Sequence, residues 1–419
     1  MSELIFWIII AILLVGFIVD QGLNYLSEKG WSVPLPDFVK SEYSTEKYQT
    51  AKNYHKEGAN LSLLKSTISL VVLIIILTTN SFSILDDWIR STTDNSALQM
   101  LLFFGILFLI SDIFSLPFQW YSTFTIEEKY GFNKTTVATF FLDKLKSWIL
   151  LILIGGGILL LIFKIYELTE SYFWILAWAV ISAFSLFMAV FYSKLLLPLF
   201  NKLTPLEDGE LKEAIEKVSL DTGFTLEKIF IMDGSKRSAK ANAFFSGLGK
   251  QKSIILYDTL VEQHTKEELL AVLAHEIGLY KLKHIPQSII LGLIQSFISF
   301  FILGIFLSYP VFTEAIGFTE PSFYASLIAF GLLYSPIELF LGILTNKLSR
   351  KNEYQADDFA KNIKLGEALT SALIKMSAHH LSNLFPHPLD VKINYSHPTL
   401  IQRVSHLKQN KNEPISTSS

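Results

Sequence analysis

One short run of the chain carries residue types suited to hydrolysis: Ala274-His275-Glu276-Ile277-Gly278-Leu279-Tyr280. On a helix, two histidines four residues apart lie about one turn apart and can hold a single metal ion, while a glutamate beside the first reaches the water bound to that ion. His275 and Glu276 supply the first half of this H-E-x-x-H pattern, and Leu279 stands where the second histidine would be. A second run, Ser349-Arg350-Lys351-Asn352-Glu353-Tyr354-Gln355-Ala356-Asp357, offers Glu353 as a carboxylate ligand from another helix. Asp357, one turn later, could orient a ligand histidine. Taken singly, the first run is an uninformative His-Glu pair and the second a charged helix face.

The remaining histidines do not fill the gap. His284 lies nine residues past His275, and at ~100° per residue that is about half a turn round one continuous helix, facing away. His264 precedes the helix and has no evident route to the site. His379 and His380 fall on a polar stretch and read as solvated surface. The chain has no cysteine, so disulfides, thiol nucleophiles, iron–sulfur clusters and cysteine zinc sites are excluded, and any metal must sit on His, Asp or Glu.

The elements that must position these groups follow from local pattern. From Pro205 to Lys283 the composition is that of an ordinary α/β segment. Glu210 to Val218 reads as an amphipathic helix, Lys228 to Met232 and Ser253 to Tyr257 as short strands, and Lys266 to Lys283 as the helix bearing His275. Thr265, three residues before Glu268, forms a capping-box signature at its start. Ser349 to Asn362 continues helically after the last apolar stretch.

Around that segment the chain is built for a bilayer. Of its 419 residues, 51% are hydrophobic and 17% charged, far from soluble composition. Stretches of about 20 apolar residues, enough to cross ~30 Å of hydrocarbon, occur about seven times. They lie near 4–22, 61–85, 97–120, 146–165, 172–197, 285–308 and 323–346. The first, with Ser2 and Glu3 ahead of Leu4 to Val19, lacks a basic leader or a cleavage site and reads as a retained span.

Lys29, Lys40, Lys47, Lys52 and Lys56 follow span one, and Lys129 and Lys134 occupy the third loop. The opposite loops hold Arg90, Glu167, Glu170, Glu314 and Glu320. The positive-inside rule then puts the N-terminus outside and the His275 segment in the cytosol. The membrane is expected to be a bacterial plasma membrane or the endoplasmic reticulum. Asp112 and Glu338 fall within spans, which fits either a polar interior chamber or local pairing and snorkelling. Gly155-Gly156-Gly157 permits close helix approach. A net charge of -3 gives no footprint for nucleic acid. The tail, Lys408 to Ser419, is polar and expected to be disordered, and it does not end in a prenylation box.

With these runs in order, the chain closely resembles the integral-membrane zinc CAAX prenyl proteases. Thr125-Ile126-Glu127-Glu128-Lys129-Tyr130-Gly131-Phe132-Asn133-Lys134 is similar to that family's third-loop signature. Ser238 to Gly247 is similar to its substrate-edge segment, Ser349 to Asp357 to its third-ligand helix, and Tyr395-Ser396-His397-Pro398 with Arg403 to its C-terminal motif. The resemblance implies a mostly α, polytopic protein: a seven-helix transmembrane barrel around a chamber, with a cytosolic α/β zincin-like metalloprotease domain. It implies one Zn2+ on His275 and Glu353, Glu276 as general base, Asp357 orienting the site and His397 stabilising the oxyanion. Asn242 and Ala243 would pair with the substrate backbone, and Arg403 would support the substrate region. The implied partner is a prenylated or related membrane-associated peptide.

The organisation expected is spans one to five over 1–200, the zinc-protease segment over 201–284, spans six and seven over 285–346, the third-ligand helix and C-terminal site over 347–407, and the tail over 408–419. Leu279 leaves two protein ligands where catalytic zinc normally has three, so weak zinc binding and impaired cleavage are expected. The alternatives are a non-cleaving pseudoprotease that binds lipidated or stalled chains, and a seven-span receptor or transporter. The last has no use for the His-Glu and Glu353 helices and shows no repeated halves.

Overall fold

The computed structural model describes residues 1–169, 172–224, 228–248 and 252–409; Glu170 and the tail from residue 410 lie outside them. Contacts divide the chain into two compact units: Met1–Asn24, Glu57–Phe187 and Ile290–Leu341 in the first, Tyr25–Lys56, Met188–Ile289 and Gly342–Ser419 in the second.

Among the described residues, seven helices are long and apolar enough to cross a membrane: Ser2–Ser32, Thr45–Thr78, Ser96–Glu127, Val137–Thr169, Phe173–Phe200, His284–Ser308 and Phe323–Asn362. Only 6% to 17% of each apolar window is buried inside the protein, so most of that apolar surface needs lipid as its solvent. The chain is a multi-pass membrane protein. The first unit closes around Ile9, Leu77, Phe82, Met100, Phe103, Phe163, Phe173 and Tyr324.

Two local expectations change, at residues 61–85 and at the triple glycine, and Asp112 follows one of its two expected readings. The stretch 61–85 does not run through: its helix stops at Thr78, Asn80 takes the left-handed conformation (φ 52°), and a separate helix Ser81–Thr92 follows. Asparagine tolerates that geometry better than most residues. Asp112 is paired with Lys144 and receives the Trp148 indole N–H at 3.1 Å, which satisfies its charge by local pairing. The triple glycine does not serve helix contact, since a Cβ at Gly156 or Gly157 would meet nothing within 4 Å. It lies instead in and beside a π-helical widening, Leu151–Gly156.

The second unit is α/β. Strands β1 (Leu203–Pro205), β2 (Lys228–Met232), β3 (Ala243–Ser246) and β4 (Ser253–Tyr257) form a sheet of order β1-β2-β4-β3. β2 and β4 run parallel, and the outer pairs are antiparallel. Among its helices are α1 (Glu210–Asp221), α2 (Lys266–Lys281), the C-terminal end of α3 (Phe323–Asn362), α4 (Gly366–His379) and α5 (Leu400–Lys408). Ile215, Ile254, Leu256, Leu269, Leu273, Leu369, Ala372 and Leu407 make the core.

The capping box at Thr265 and Glu268 is formed in both directions. Glu268 also accepts from Ser371 Oγ at 2.6 Å and pairs with Lys375 at 2.7 Å, so one carboxylate starts α2 and ties it to α4. Residues 25–56 pack into this unit too: Val39 and Tyr43 are fully buried beside Ile374 and Leu384, and the Tyr43 hydroxyl donates to the Ser377 carbonyl at 2.5 Å.

Candidate metal centre

Two helices cross at a glycine. A Cβ on Gly278 would sit 3.0 Å from the Phe359 Cβ and 3.2 Å from the Ala356 Cα, so α2 and α3 approach as closely as their backbones permit. Glycine inside a helix costs about 1 kcal/mol relative to alanine. Here that cost is offset by a close fit against Ala356 and Ala360, both fully buried. The crossing faces His275 of α2 with Glu353 and Asp357 of α3, which are one turn apart on the same side.

The His275 ring lies between two carboxylates, its Nδ1 2.8 Å from Asp357 Oδ1 and its Nε2 3.4 Å from Glu353 Oε2. That glutamate oxygen is buried and has no hydrogen-bond partner. Arg403 of α5 grips Asp357 through Nε at 2.9 Å and Nη2 at 2.5 Å. Its Nη1 lies 3.5 Å from Glu353 Oε2 and its Nη2 3.2 Å from His275 Nδ1. His397 reaches in from a position 63% exposed, Nε2 at 3.4 Å from Glu353 Oε1, with Ser396 Oγ 2.9 Å from its Nδ1.

The electrostatics follow from this packing. Burial and the Arg403 guanidinium push the His275 imidazole down, but the close contact with Asp357 and the facing Glu353 carboxylate outweigh them and hold it up at about 9 without a metal. Glu276 keeps some open surface yet is hemmed in by protein atoms, and that lost hydration pushes its carboxyl up to about 7, with His275 opposing. A carboxyl near neutrality can take up and release a proton at working pH.

A buried carboxylate oxygen with no hydrogen-bond partner, facing an imidazole nitrogen that would give up its proton to an incoming cation, is the chemistry of a cation site. The set is incomplete, however. One turn past His275 stands Leu279, which has no donor, and among the described residues no group of three His, Cys, Asp or Glu side chains is placed to hold a metal ion. His284 does not supply the third. α2 ends at Lys281 and Lys283 is left-handed (φ 62°), so His284 begins the next helix instead of continuing this one. It is buried there with both ring nitrogens unpartnered.

The structure places the other expected residues as follows. Asn242 is exposed, and Ala243 opens β3, an edge strand. Arg403, expected by the substrate, has its guanidinium on Asp357 and Glu353 and is 11% exposed. His380 is not solvated surface: its Nε2 accepts from the Ala241 N–H at 3.0 Å. Sequence reasoning missed the helix crossing at Gly278 and the contact of His380 with Ala241. A glycine within a helical pattern is a signal of close approach, whereas nothing local marks His380.

Fold and site together resemble those of membrane-embedded metallopeptidases. Residues 205–411 match the peptidase family M48, and residues 26–202 match the CAAX prenyl protease N-terminal region of five membrane helices. The CAAX prenyl protease 1 homolog of Oryza sativa subsp. japonica is 33% identical over 412 residues, covering 96% of each chain. CAAX prenyl protease 1 of Saccharomyces cerevisiae is 34% identical over 399 residues, covering 89% of this chain and 88% of that one. The crystal structure of S. mikatae Ste24p superposes with a TM-score of 0.91 at 32% identity, covering 97% of this chain and 99% of that one. The chain belongs to the CAAX prenyl protease family.

Proposed function

We propose that this chain is a membrane-embedded zinc endopeptidase by design, acting on the C-terminal peptides of prenylated CAAX proteins or related membrane-associated peptides, and that Leu279 impairs it. The observation that carries the reading is the pair of facing donors, His275 Nε2 and the orphaned Glu353 Oε2, 3.4 Å apart, with a leucine at the next turn. A catalytic zinc takes three protein ligands and one open position. An isobutyl group offers no donor and fills space an imidazole would need, so the residues present fit the ion only in part.

When bound, zinc polarises a water and the scissile carbonyl. The chain's own residues supply the rest. Glu276 holds a transferable proton near pH 7. Asp357, braced by Arg403, keeps the His275 ring oriented with Nε2 toward Glu353. His397, exposed and adjacent to Glu353, is free to turn its N–H toward a developing oxyanion. The edge of β3 at Asn242 and Ala243 offers backbone groups to an extended peptide, which needs no particular side chain. The excess of lysine on loops one and three supports an outside N-terminus and a cytosolic site, with a chamber among the spans where a lipid tail and a peptide can meet.

The deciding experiment measures bound zinc and hydrolysis of a farnesylated CAAX peptide for the chain as it stands beside Leu279→His. The expected result is substoichiometric zinc and near-background cleavage, both raised by the substitution. Equal zinc and equal cleavage in the two would refute impairment by Leu279. Peptide capture with no cleavage even in a zinc-loaded Leu279→His protein would favour the non-cleaving role.

A further inference from the structure

The free edge of β3 is closed at one end. The Asn242 carbonyl accepts from the Tyr257 N–H at 3.0 Å, so the backbone groups of Asn242 and Phe244 turn toward β4. Those of Ala241, Ala243 and Phe245 turn away from β4, to the side with no strand partner. On that side the Ala243 N–H is held at 2.9 Å by the side-chain oxygen of Asn242, a contact within one dipeptide that an incoming carbonyl can displace. The Ala241 N–H is held differently: it donates to His380 Nε2 at 3.0 Å, from the far end of α4. We propose that His380 is a positioning residue that closes the edge of β3 at Ala241 and so fixes the register of an extended peptide paired there. This rests on the reading of β3 as the peptide-binding edge.

The turn that presents His380 is independently constrained. Leu381, the next residue, is left-handed (φ 53°) and 6% exposed, a conformation that a branched, non-glycine residue keeps only when its surroundings impose it. They do so from three sides. His55 Nε2 lies 2.9 Å from the Leu381 carbonyl, the Ser382 N–H returns to Ser377 at 3.0 Å, and Tyr43 donates to the same Ser377 carbonyl. Burial first, then the neighbouring charge of Lys240, pushes the His380 ring down to about 4, so it stays neutral and able to accept.

An N–H already taken by an imidazole has nothing to give a peptide carbonyl. A peptide pairing antiparallel with β3 runs from Phe245 toward Ala241, so its C-terminal end arrives at the closed point. A chain that ends there loses nothing, while one that continues must leave the strand path. The edge therefore discriminates for chains whose C-terminus lies close to the paired segment.

The experiment compares binding of two fluorescent farnesylated peptides to the full chain in detergent, one ending shortly after the lipidated residue and one extended at its C-terminus by a polar segment. The unsubstituted chain is expected to favour the short peptide. His380→Ala, which frees the Ala241 donor for a longer ladder, is expected to narrow that preference about fivefold, the worth of one hydrogen bond. His380→Gln, which keeps an acceptor, should leave it unchanged. His380→Ser replaces the alanine variant if the latter does not fold. A parallel loss for both peptides, or an unchanged preference in the alanine variant, overturns the role of His380 alone. Failure of the unsubstituted chain to bind either peptide overturns it together with the peptide-binding reading of the edge.

Discussion

His275 and Glu276 are adjacent in the chain and meet opposite surroundings. The imidazole is enclosed by two carboxylates and held charged, while the carboxylate beside it is starved of water and pushed toward neutrality. The two carboxylates that hold a proton on His275 would hold a cation in its place, and the raised carboxyl of Glu276 suits a base. In a Leu279→His background, Glu276→Gln should cut peptide hydrolysis by at least about 100-fold with bound zinc unchanged; loss of zinc as well would show that Glu276 serves the metal and not the proton. In the same background Asp357→Asn should weaken zinc about 10- to 100-fold, read by competition with a chelating dye. His380 gives a pH effect on stability. Its folded pKa of about 4 lies below the ordinary value near 6.5, so the unfolded chain takes up the proton first. The stability it contributes is present above about pH 6.5 and is lost as pH falls toward 4, on the order of 3 kcal/mol. Melting in detergent should drop more between pH 7 and pH 5 for the unsubstituted chain than for His380→Gln.

At the scale of elements, the site depends on how α2 starts and where it crosses α3. Its start was legible: Thr265 and Glu268 form the expected box, because capping is a contact among four consecutive residues. The further bonds from Glu268 to Ser371 and Lys375 were not, since they join residues more than a hundred positions apart. The crossing at Gly278 makes a direct prediction. Gly278→Ala should destabilise the protein by about 1 to 3 kcal/mol through overpacking, despite alanine's better helix propensity, and should lower the melting temperature; a neutral or raised value would mean that Phe359 can move aside. β2 and β4 were legible as β-rich runs, whereas β1 and β3, of 3 and 4 residues, are too short to carry an alternation pattern. They are strands because β2 and β4 give them partners.

At the scale of the molecule, the absence of cysteine makes sidedness directly measurable. Single cysteines at the exposed positions Asn95 and Lys134 should label from opposite faces of sealed vesicles, Asn95 from the outside and Lys134 only after permeabilisation; the reverse pattern would invert the orientation.

What the sequence determined alone was whatever depends on neighbours along the chain: the apolar stretches, the helix bearing His275, the pairing of Glu353 with Asp357 at one turn, and the missing donor at Leu279. Only the tertiary structure decided what depends on approach between distant segments. It brought His275 onto Glu353 and Asp357 through a glycine crossing, and set Arg403 behind Asp357. It drew residues 25–56 into the second unit, broke the helix before His284 and carried His380 to the end of an edge strand. The physical reason is range. Periodicity and capping act over a few residues, whereas a ligand set is defined within a few ångströms of space and only packing determines which residues share it.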